Sequence, residues 1–128
     1  MIGLLFMILL AGSPAWADCD VKVGRVVDGD TFYSPTLRVI SPTRYRTEDT
    51  RFRLKDVYAP ERGEDKFAEA KADLERLIGG KIVDIEILPD RDPRGGLIIN
   101  VWTCGDTRLH VNEEMRRRGW VKYGRGVK

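Results

Sequence analysis

Two short motifs contain the residue types that phosphodiester chemistry needs. The first is an Asp-Gly-Asp turn at residues 28–30, in which Asp30 offers carboxylate oxygens, the donors that hard cations prefer. The second runs from Arg53 to Glu61, closed by Ala-Pro-Glu. An arginine can donate two hydrogen bonds to one phosphate, and a carboxylate can orient or deprotonate a water molecule. Together, the motifs predict a site for a cation, a phosphate and a water.

Each motif also has a plainer interpretation. An isolated Asp-Gly pair most often only shapes a hairpin turn. Arg53 alone would be an ordinary charge on a strand surface, and Glu61 a residue in the first turn of a helix, stabilised there by the helix dipole. The functional interpretation is favoured because both motifs occur, in this order, in one small chain.

The two motifs resemble the active-site scaffold of the staphylococcal nuclease (thermonuclease) family. The resemblance implies that Asp30 coordinates Ca²⁺ or another divalent cation, with the backbone carbonyl of Ala59 as a further ligand. It also implies that Glu61 orients or deprotonates the attacking water and that Arg53 grips the scissile phosphate.

The family's second phosphate-binding arginine lies in an acidic loop before the last strand. Here that loop is Asp90–Gly96, and Arg94 is its best counterpart, as a catalytic and substrate-binding residue. Pro93 stands where the family prefers glycine, so Arg91 stays open as the alternative, as does a plain turn without a binding role.

Tyr58 is the main departure from the family pattern, because the family usually has a second metal-binding aspartate there. A phenol is neutral near pH 7, so the site has one formal negative charge fewer. At a few ångströms and an effective dielectric constant of 20, one charge is worth up to ~4 kcal/mol, enough to weaken metal binding greatly. Asp28 and Asp56 could compensate, although each is interpreted as structural.

Hydrophobic periodicity predicts the elements that position these residues. The predicted strands and helices, in chain order, are Cys19–Val27, a strand from Thr31, Phe52–Val57, helix Gly63–Gly79, Lys81–Leu88, Leu97–Thr103 and helix Val111–Arg118. Ser41–Thr50 is predicted to be a hairpin loop and Pro89–Gly96 a turn-rich loop. This order predicts an α+β domain, and it resembles the family's five-stranded OB-type β-barrel with covering helices, a fold that binds oligonucleotides.

The first 17 residues predict export. An apolar stretch is followed by Ala15-Trp16-Ala17, a small-x-small cleavage pattern typical of a signal peptide. Its removal leaves residues 18–128 as one nuclease-like domain, periplasmic or extracellular, without a stable membrane span. Ile2–Leu10 is well short of the roughly 20 residues that cross a bilayer. An uncleaved anchor stays open, because only the terminal amine supplies positive charge.

The two cysteines, Cys19 and Cys104, are expected to pair in an exported protein. The long loop they close would stabilise the fold by ~4 kcal/mol on the chain-entropy model. Two distant cysteines and the single histidine, His110, do not form a recognisable zinc ligand set.

The single histidine and the aromatic residues limit the catalytic mechanisms and binding roles that the chain can have. Mechanisms built on paired histidines are excluded, because His110 is alone. Trp102 and Trp120 are interpreted as core or rim aromatics, and Tyr33 and Tyr45 as weak candidates for stacking on bases.

The leading hypothesis is a secreted, monomeric, metal-dependent nuclease that hydrolyses DNA or RNA with low sequence specificity. From Met115 onward the chain carries basic residues and no acid, which could attract a polyanion. The alternative is a catalytically impaired nucleic-acid-binding OB module, since Tyr58 could abolish turnover. A third possibility is a secreted structural or protein-interaction domain.

Overall fold

The computed structural model describes residues 19–35, 38–41, 44–46 and 49–122. The predicted signal peptide, residues 1–17, lies outside the described residues, as does the side chain of Tyr45. The strands within the described part are β1 (Val21–Lys22), β2 (Val26–Asp28), β3 (Thr31–Ser34), β4 (Arg38–Ser41), β5 (Arg44–Arg46), β6 (Thr50–Leu54), β7 (Ile82–Arg91) and β8 (Leu97–Thr103). The helices are α1 (Phe67–Ile78) and α2 (Val111–Arg117).

Six strands form one mixed sheet in the order β1-β7-β8-β6-β3-β2. β6 and β8 are parallel and the other neighbours are antiparallel. Both helices accompany this sheet, so the predicted α+β class is confirmed. The described sheet has six strands rather than five, and its hydrogen-bonded order leaves β1 and β2 as edges, so its strand ladder is not closed into a barrel.

The extra strand arises because the predicted first strand bends at Gly24. β1 pairs with β7 at one edge of the sheet and β2 pairs with β3 at the other. The Gly24 N–H donates to the Tyr33 carbonyl at 2.8 Å, and a Cβ on Gly24 would lie 2.9 Å from that oxygen. Only glycine allows this approach, and the same chain segment thereby reaches both edges of the sheet.

Several predicted boundaries were wrong, among them the start of the first helix, which lies at Phe67 rather than Gly63. β4 and β5 form a separate two-stranded sheet, so strand structure continues into the segment predicted as a hairpin loop. β6 ends at Leu54 rather than Val57, because the chain turns at Asp56, which has a φ of 60°. β7 continues past Pro89 to Arg91 with a register shift after Ile87, so the predicted loop is shorter. The strand at residues 97–103 is confirmed.

The hydrophobic core lies between the sheet and the helices. In α1, the three-and-four spacing of apolar residues buries Ala70, Leu74 and Ile78 against it. Phe32 of β3 and Phe52 of β6 contribute neighbouring rings with centroids 5.4 Å apart. Alternation along β6 buries its apolar side chains and leaves its arginines on the outer face.

A disulfide and the hydrogen bonds of one buried asparagine join distant segments of the chain. The predicted disulfide between Cys19 and Cys104 is confirmed and joins residues 85 positions apart. Asn112, fully buried in α2, donates through Nδ2 to the carbonyls of Lys55 and Ile99, both at 3.1 Å. Its Oδ1 accepts the Val101 N–H at 2.8 Å. α2 is thereby attached to β8 and to the segment after β6.

A charged cluster joins the end of α2 to α1. Asp73 accepts hydrogen bonds from Trp120 Nε1 at 2.8 Å and from Arg118 at 3.1 Å. The Trp120 carbonyl in turn accepts the Tyr58 N–H at 3.0 Å. This cluster therefore holds the segment that carries Tyr58. Within the described part of the chain, no helix is long and apolar enough to cross a membrane.

Candidate active site

A partly open cleft of about 170 Å³ lies at the end of β3 and β6, beside the β7–β8 loop. Its lining includes five of the predicted site residues, Asp30, Arg53, Ala59, Glu61 and Arg94. The other lining residues are Asp28, Thr31, Arg51, Tyr58, Asp92 and Pro93. Residues far apart in sequence therefore share one small site.

The Asp-Gly-Asp turn is pressed against α1 and the Ala-Pro-Glu segment. A Cβ on Gly29 would lie 2.7 Å from the Cβ atoms of both Ala59 and Ala70. Such a contact is too short for any side chain, so glycine is required by space at this position. The close approach fixes the turn, and with it the two aspartates on either side.

Asp30 is a buried carboxylate that already accepts several hydrogen bonds. Oδ1 accepts the Thr31 hydroxyl at 2.8 Å, and Oδ2 accepts the Ala59 N–H at 3.1 Å. The Arg53 guanidinium lies 3.7 Å from Oδ2. The backbone carbonyl of Asp30 also accepts the Leu54 N–H at 2.8 Å. These contacts hold the carboxylate at the base of the cleft.

Asp28 is also buried, and its carboxylate accepts the Asp30 N–H at 3.0 Å. Burial, followed by the side chain and charge of Asp30, raises the pKa of Asp28 to about 7. The two carboxyl groups therefore share a site in which ionisation of both is unfavourable. An added positive charge would relieve this repulsion.

Arg53 projects from the outer face of β6 into the cleft. Its side chain is about 29 % exposed, and its guanidinium lies 5.6 Å from the centre of the Tyr58 ring. Tyr58 therefore places an aromatic face against the arginine, at the position where the resemblance predicted an acid. The guanidinium keeps donors available toward the open side, because its contact with Asp30 is long.

Arg94 and Glu61 meet across the mouth of the cleft, where the guanidinium donates to Glu61 Oε2. Both side chains are well exposed, and the contact raises the pKa of Arg94 above its ordinary value. Glu61 lies before α1, so its interpretation as a residue of the helix's first turn is wrong. Its N–H donates to Glu64 Oε1 at 2.8 Å, an interaction that fixes the turn carrying the carboxylate.

The structure distinguishes between the two candidate arginines of the β7–β8 loop. Arg94 lines the cleft, whereas Arg91 donates to three carbonyls of its own strand segment, at 3.0 to 3.2 Å. Pro93, which departs from the family pattern, lies beside Arg94 in the lining. The proline is therefore compatible with an arginine directed into the site.

The sequence interpretation missed Arg51 and Asp92. Arg51 donates to Asp92 Oδ2 and to the Gly95 carbonyl, both at 2.7 Å. Burial opposes ionisation of Asp92, but the Arg94 N–H and the Arg51 guanidinium outweigh it and hold the pKa of Asp92 below its ordinary value. The pair positions the loop that carries Arg94. Strand alternation could have shown Arg51, since it lies two residues before Arg53 on the same face.

His110, Trp102 and Trp120 lie outside the cleft. His110 stacks on Trp102 with ring centroids 4.9 Å apart, and burial lowers the pKa of His110. Trp120 is buried and donates to Asp73. These positions agree with the interpretation of both tryptophans as core or rim residues.

The cleft contains carboxylate oxygens, which are the donors that a divalent cation requires. No group of three or more His, Cys, Asp or Glu side chains in the described part of the chain is arranged to hold a metal ion. Asp28 and Asp30 nevertheless form a buried carboxylate pair with the pKa of Asp28 raised, which suits one hard cation. The residues therefore fit a cation site based on two side chains. The Ala59 carbonyl as a further ligand stays a prediction.

Comparisons with known proteins supply no name for the site. No protein-family model matches this chain, and no curated protein matches it. The functional interpretation therefore depends on the side chains in the cleft and on their geometry.

Proposed function

We propose that the chain is an exported, monomeric, divalent-metal-dependent phosphodiesterase that cleaves DNA or RNA with low sequence specificity. The single observation that carries this proposal is the convergence of Asp30, Arg53, Glu61 and Arg94 on one cleft. Two guanidinium groups and two carboxylates in one small space match the needs of phosphoryl chemistry, which are anion binding, charge stabilisation and a positioned water.

The side chains divide the work between two arginines and one acid. Arg53 and Arg94 bind the phosphate from opposite sides and stabilise the charge that develops on its oxygens. Glu61 orients the attacking water and accepts its proton. Because Arg94 contacts Glu61 in the free protein, a bound phosphate competes for this guanidinium and releases the carboxylate for the water.

Ca²⁺ or another divalent cation would be held by Asp30 and Asp28, and in the proposal also by the Ala59 carbonyl. When bound, it would supply Lewis-acid stabilisation of the phosphoryl oxygens. A bound cation would also reduce the mutual repulsion of the two buried acids. Asp28 is thus the residue that offsets the missing carboxylate at Tyr58.

The fold and the disulfide are compatible with the proposal. A mixed six-stranded sheet with two helices suits a small OB-like domain, and the bent β1–β2 segment reaches both sheet edges, as expected for a barrel-like fold. The Cys19–Cys104 disulfide favours an oxidising compartment, periplasmic or extracellular. Membership of the staphylococcal nuclease family is part of the same proposal.

The second candidate function is a nucleic-acid-binding module without turnover. Tyr58 favours it, because this side chain lines the cleft and lies against Arg53 where the family has a metal-binding acid. In this alternative the arginines still bind phosphate, but the cation site is too weak for catalysis. A structural or interaction domain, the third candidate, predicts neither nucleic-acid binding nor cleavage.

The test is cleavage of a fluorescently labelled single-stranded oligonucleotide at millimolar Ca²⁺, with and without chelator. We expect chelator-sensitive cleavage, and a loss of at least about 100-fold in rate for Glu61→Gln. Glu69→Gln removes a carboxylate from the exposed face of α1 and is the matched control. Salt-dependent binding without cleavage selects the binding module. Absence of both contradicts the two nucleic-acid functions.

A further inference from the structure

The outer face of β3 and β6 continues beyond the cleft. In this antiparallel pair Thr31 lies opposite Arg53, and Tyr33 lies opposite Arg51. Directly opposite residues point to the same face, while Phe32 between them is fully buried on the other. Tyr33 and Arg51 therefore share the face of the candidate site, about 7 Å further along the strand.

Tyr33 is joined on this face by Arg25. The guanidinium carbon of Arg25 lies 4.5 Å from the centre of the Tyr33 ring. The Tyr33 N–H donates to the Arg25 carbonyl, and its own carbonyl accepts the Gly24 N–H, both at 2.8 Å. Arg25 is exposed and Tyr33 is half-buried. The pair is thus an accessible surface made of a flat cation and an aromatic ring, with the backbone of both residues held by hydrogen bonds.

The contact between Arg108 and Trp102 differs from that between Arg25 and Tyr33 in the groups that surround it. Arg108 lies 5.0 Å from the centre of the Trp102 ring, but its charge is neutralised by Asp84 at 2.9 Å, and His110 covers the same ring. Among the residues that the structure describes, no carboxylate forms an ion pair with Arg25. Protein groups therefore cover and neutralise the Arg108–Trp102 contact, whereas the positive charge of Arg25 beside Tyr33 is not paired with any described carboxylate.

We propose that Arg25 and Tyr33 form a subsite for the nucleotide next to the phosphate held in the cleft. Its base stacks on the arginine–tyrosine pair, and its phosphate interacts with Arg25. Stacking on an aromatic ring or a guanidinium plane requires an unpaired base, so the subsite selects single-stranded nucleic acid. Arg51, held by Asp92, links the subsite to the cleft. The inference rests on the proposed function and adds the substrate class.

The test compares two ligands in a Glu61→Gln background, so that a bound strand is not cut. A nucleoside 3′,5′-bisphosphate reports on the cleft, and an eight-nucleotide single strand reports on the cleft plus the subsite. Arg25→Gln and Tyr33→Leu should each weaken oligonucleotide binding about tenfold. The Kd of the bisphosphate should stay within about twofold, because the subsite is not needed for it. Tyr33→Phe should retain binding, since it keeps the ring.

Arg76→Gln is the matched control, because it also removes one exposed arginine, in this case from α1 and outside the cleft. It should change neither Kd, and Arg25→Gln should also reduce the slope of binding against salt by about 1. If both subsite variants bind the oligonucleotide as tightly as the parent, or if bisphosphate binding falls equally, the subsite is refuted while the proposed function stands. A parent protein that binds neither ligand overturns both proposals.

Discussion

Two regions of this molecule bury polar groups, and they do so in opposite ways. Around α2, Asn112 is neutral, fully buried and hydrogen-bonded to three backbone groups. Nearby, Asp73 accepts from Trp120 and Arg118. In the cleft, Asp28 and Asp30 place two acids side by side, and the closest guanidinium is 3.7 Å from the second.

The difference separates buried polar groups that stabilise the fold from buried polar groups that are expected at ligand-binding sites. A buried group that meets all its partners specifies the fold, because removing it leaves others unpaired. A buried pair of like charges destabilises the free protein and is expected where a ligand supplies the missing charge. The α2 region belongs to the first class, and we propose that the cleft belongs to the second.

The largest effect on stability is expected at Asn112. Asn112→Ala removes partners from the Val101 N–H and from the Lys55 and Ile99 carbonyls, all in or beside the core. We expect the free energy of unfolding to fall by about 2–4 kcal/mol, measured by urea denaturation. A loss below about 1 kcal/mol would show that these backbone groups find other partners, and would break the comparison.

A smaller effect of opposite sign is expected at Asp28. Its folded pKa of about 7 lies above its ordinary value of 3.8, so the folded state retains a proton that the unfolded state releases. The stability of chelator-treated protein should therefore fall as the pH rises from about 4 to 7. At pH 8, Asp28→Asn should be more stable than the parent by about 1–2 kcal/mol, a discounted share of the shift because water reaches the cleft.

The check is urea denaturation of both proteins between pH 4 and 8. The two curves should meet near pH 4, where Asp28 is protonated in the folded state. A variant that is less stable than the parent at pH 8 would place Asp28 in the structural class.

The smallest effect is expected at Asp73, with the reverse pH dependence. Burial opposes its ionisation, but hydrogen bonds from Trp120 and Arg76 and the charge of Arg118 hold the pKa of Asp73 below its ordinary value. Its contribution is present above the unfolded pKa and is lost as the pH falls through the folded one. Asp73→Asn should lower the free energy of unfolding by about 1 kcal/mol at pH 7 and by almost nothing at a pH below the folded pKa of Asp73, with unfolding followed by tryptophan fluorescence. An equal cost at both pH values would exclude the ionised carboxylate as the cause.

Features that depend on local sequence patterns could be predicted, whereas features that depend on contacts between distant segments could not. Local patterns identified α1 and the strand at residues 97–103, because apolar spacing reports directly on a buried face. The break at Gly24 was not predicted, since it depends on the Tyr33 carbonyl approaching from another strand.

The same distinction between local and long-range features applies to the candidate site. Arg53 and Glu61 belong to a compact motif and both line the cleft, as expected, whereas the contact of Arg51 with Asp92 joins distant segments and was missed. That Arg94 and not Arg91 lines the cleft also depended on the geometry of the chain here, because the two arginines lie only three residues apart in one acidic segment.

The most direct test of the central claim is a crystal structure of the chain with Ca²⁺ and a nucleoside 3′,5′-bisphosphate. We predict a phosphate within hydrogen-bond distance of the Arg53 and Arg94 guanidinium groups, and a cation bound to the Asp30 carboxylate. A bisphosphate bound at another surface, with Arg94 still on Glu61 and no cation beside Asp30, would contradict the assignment of this cleft as a phosphodiesterase site.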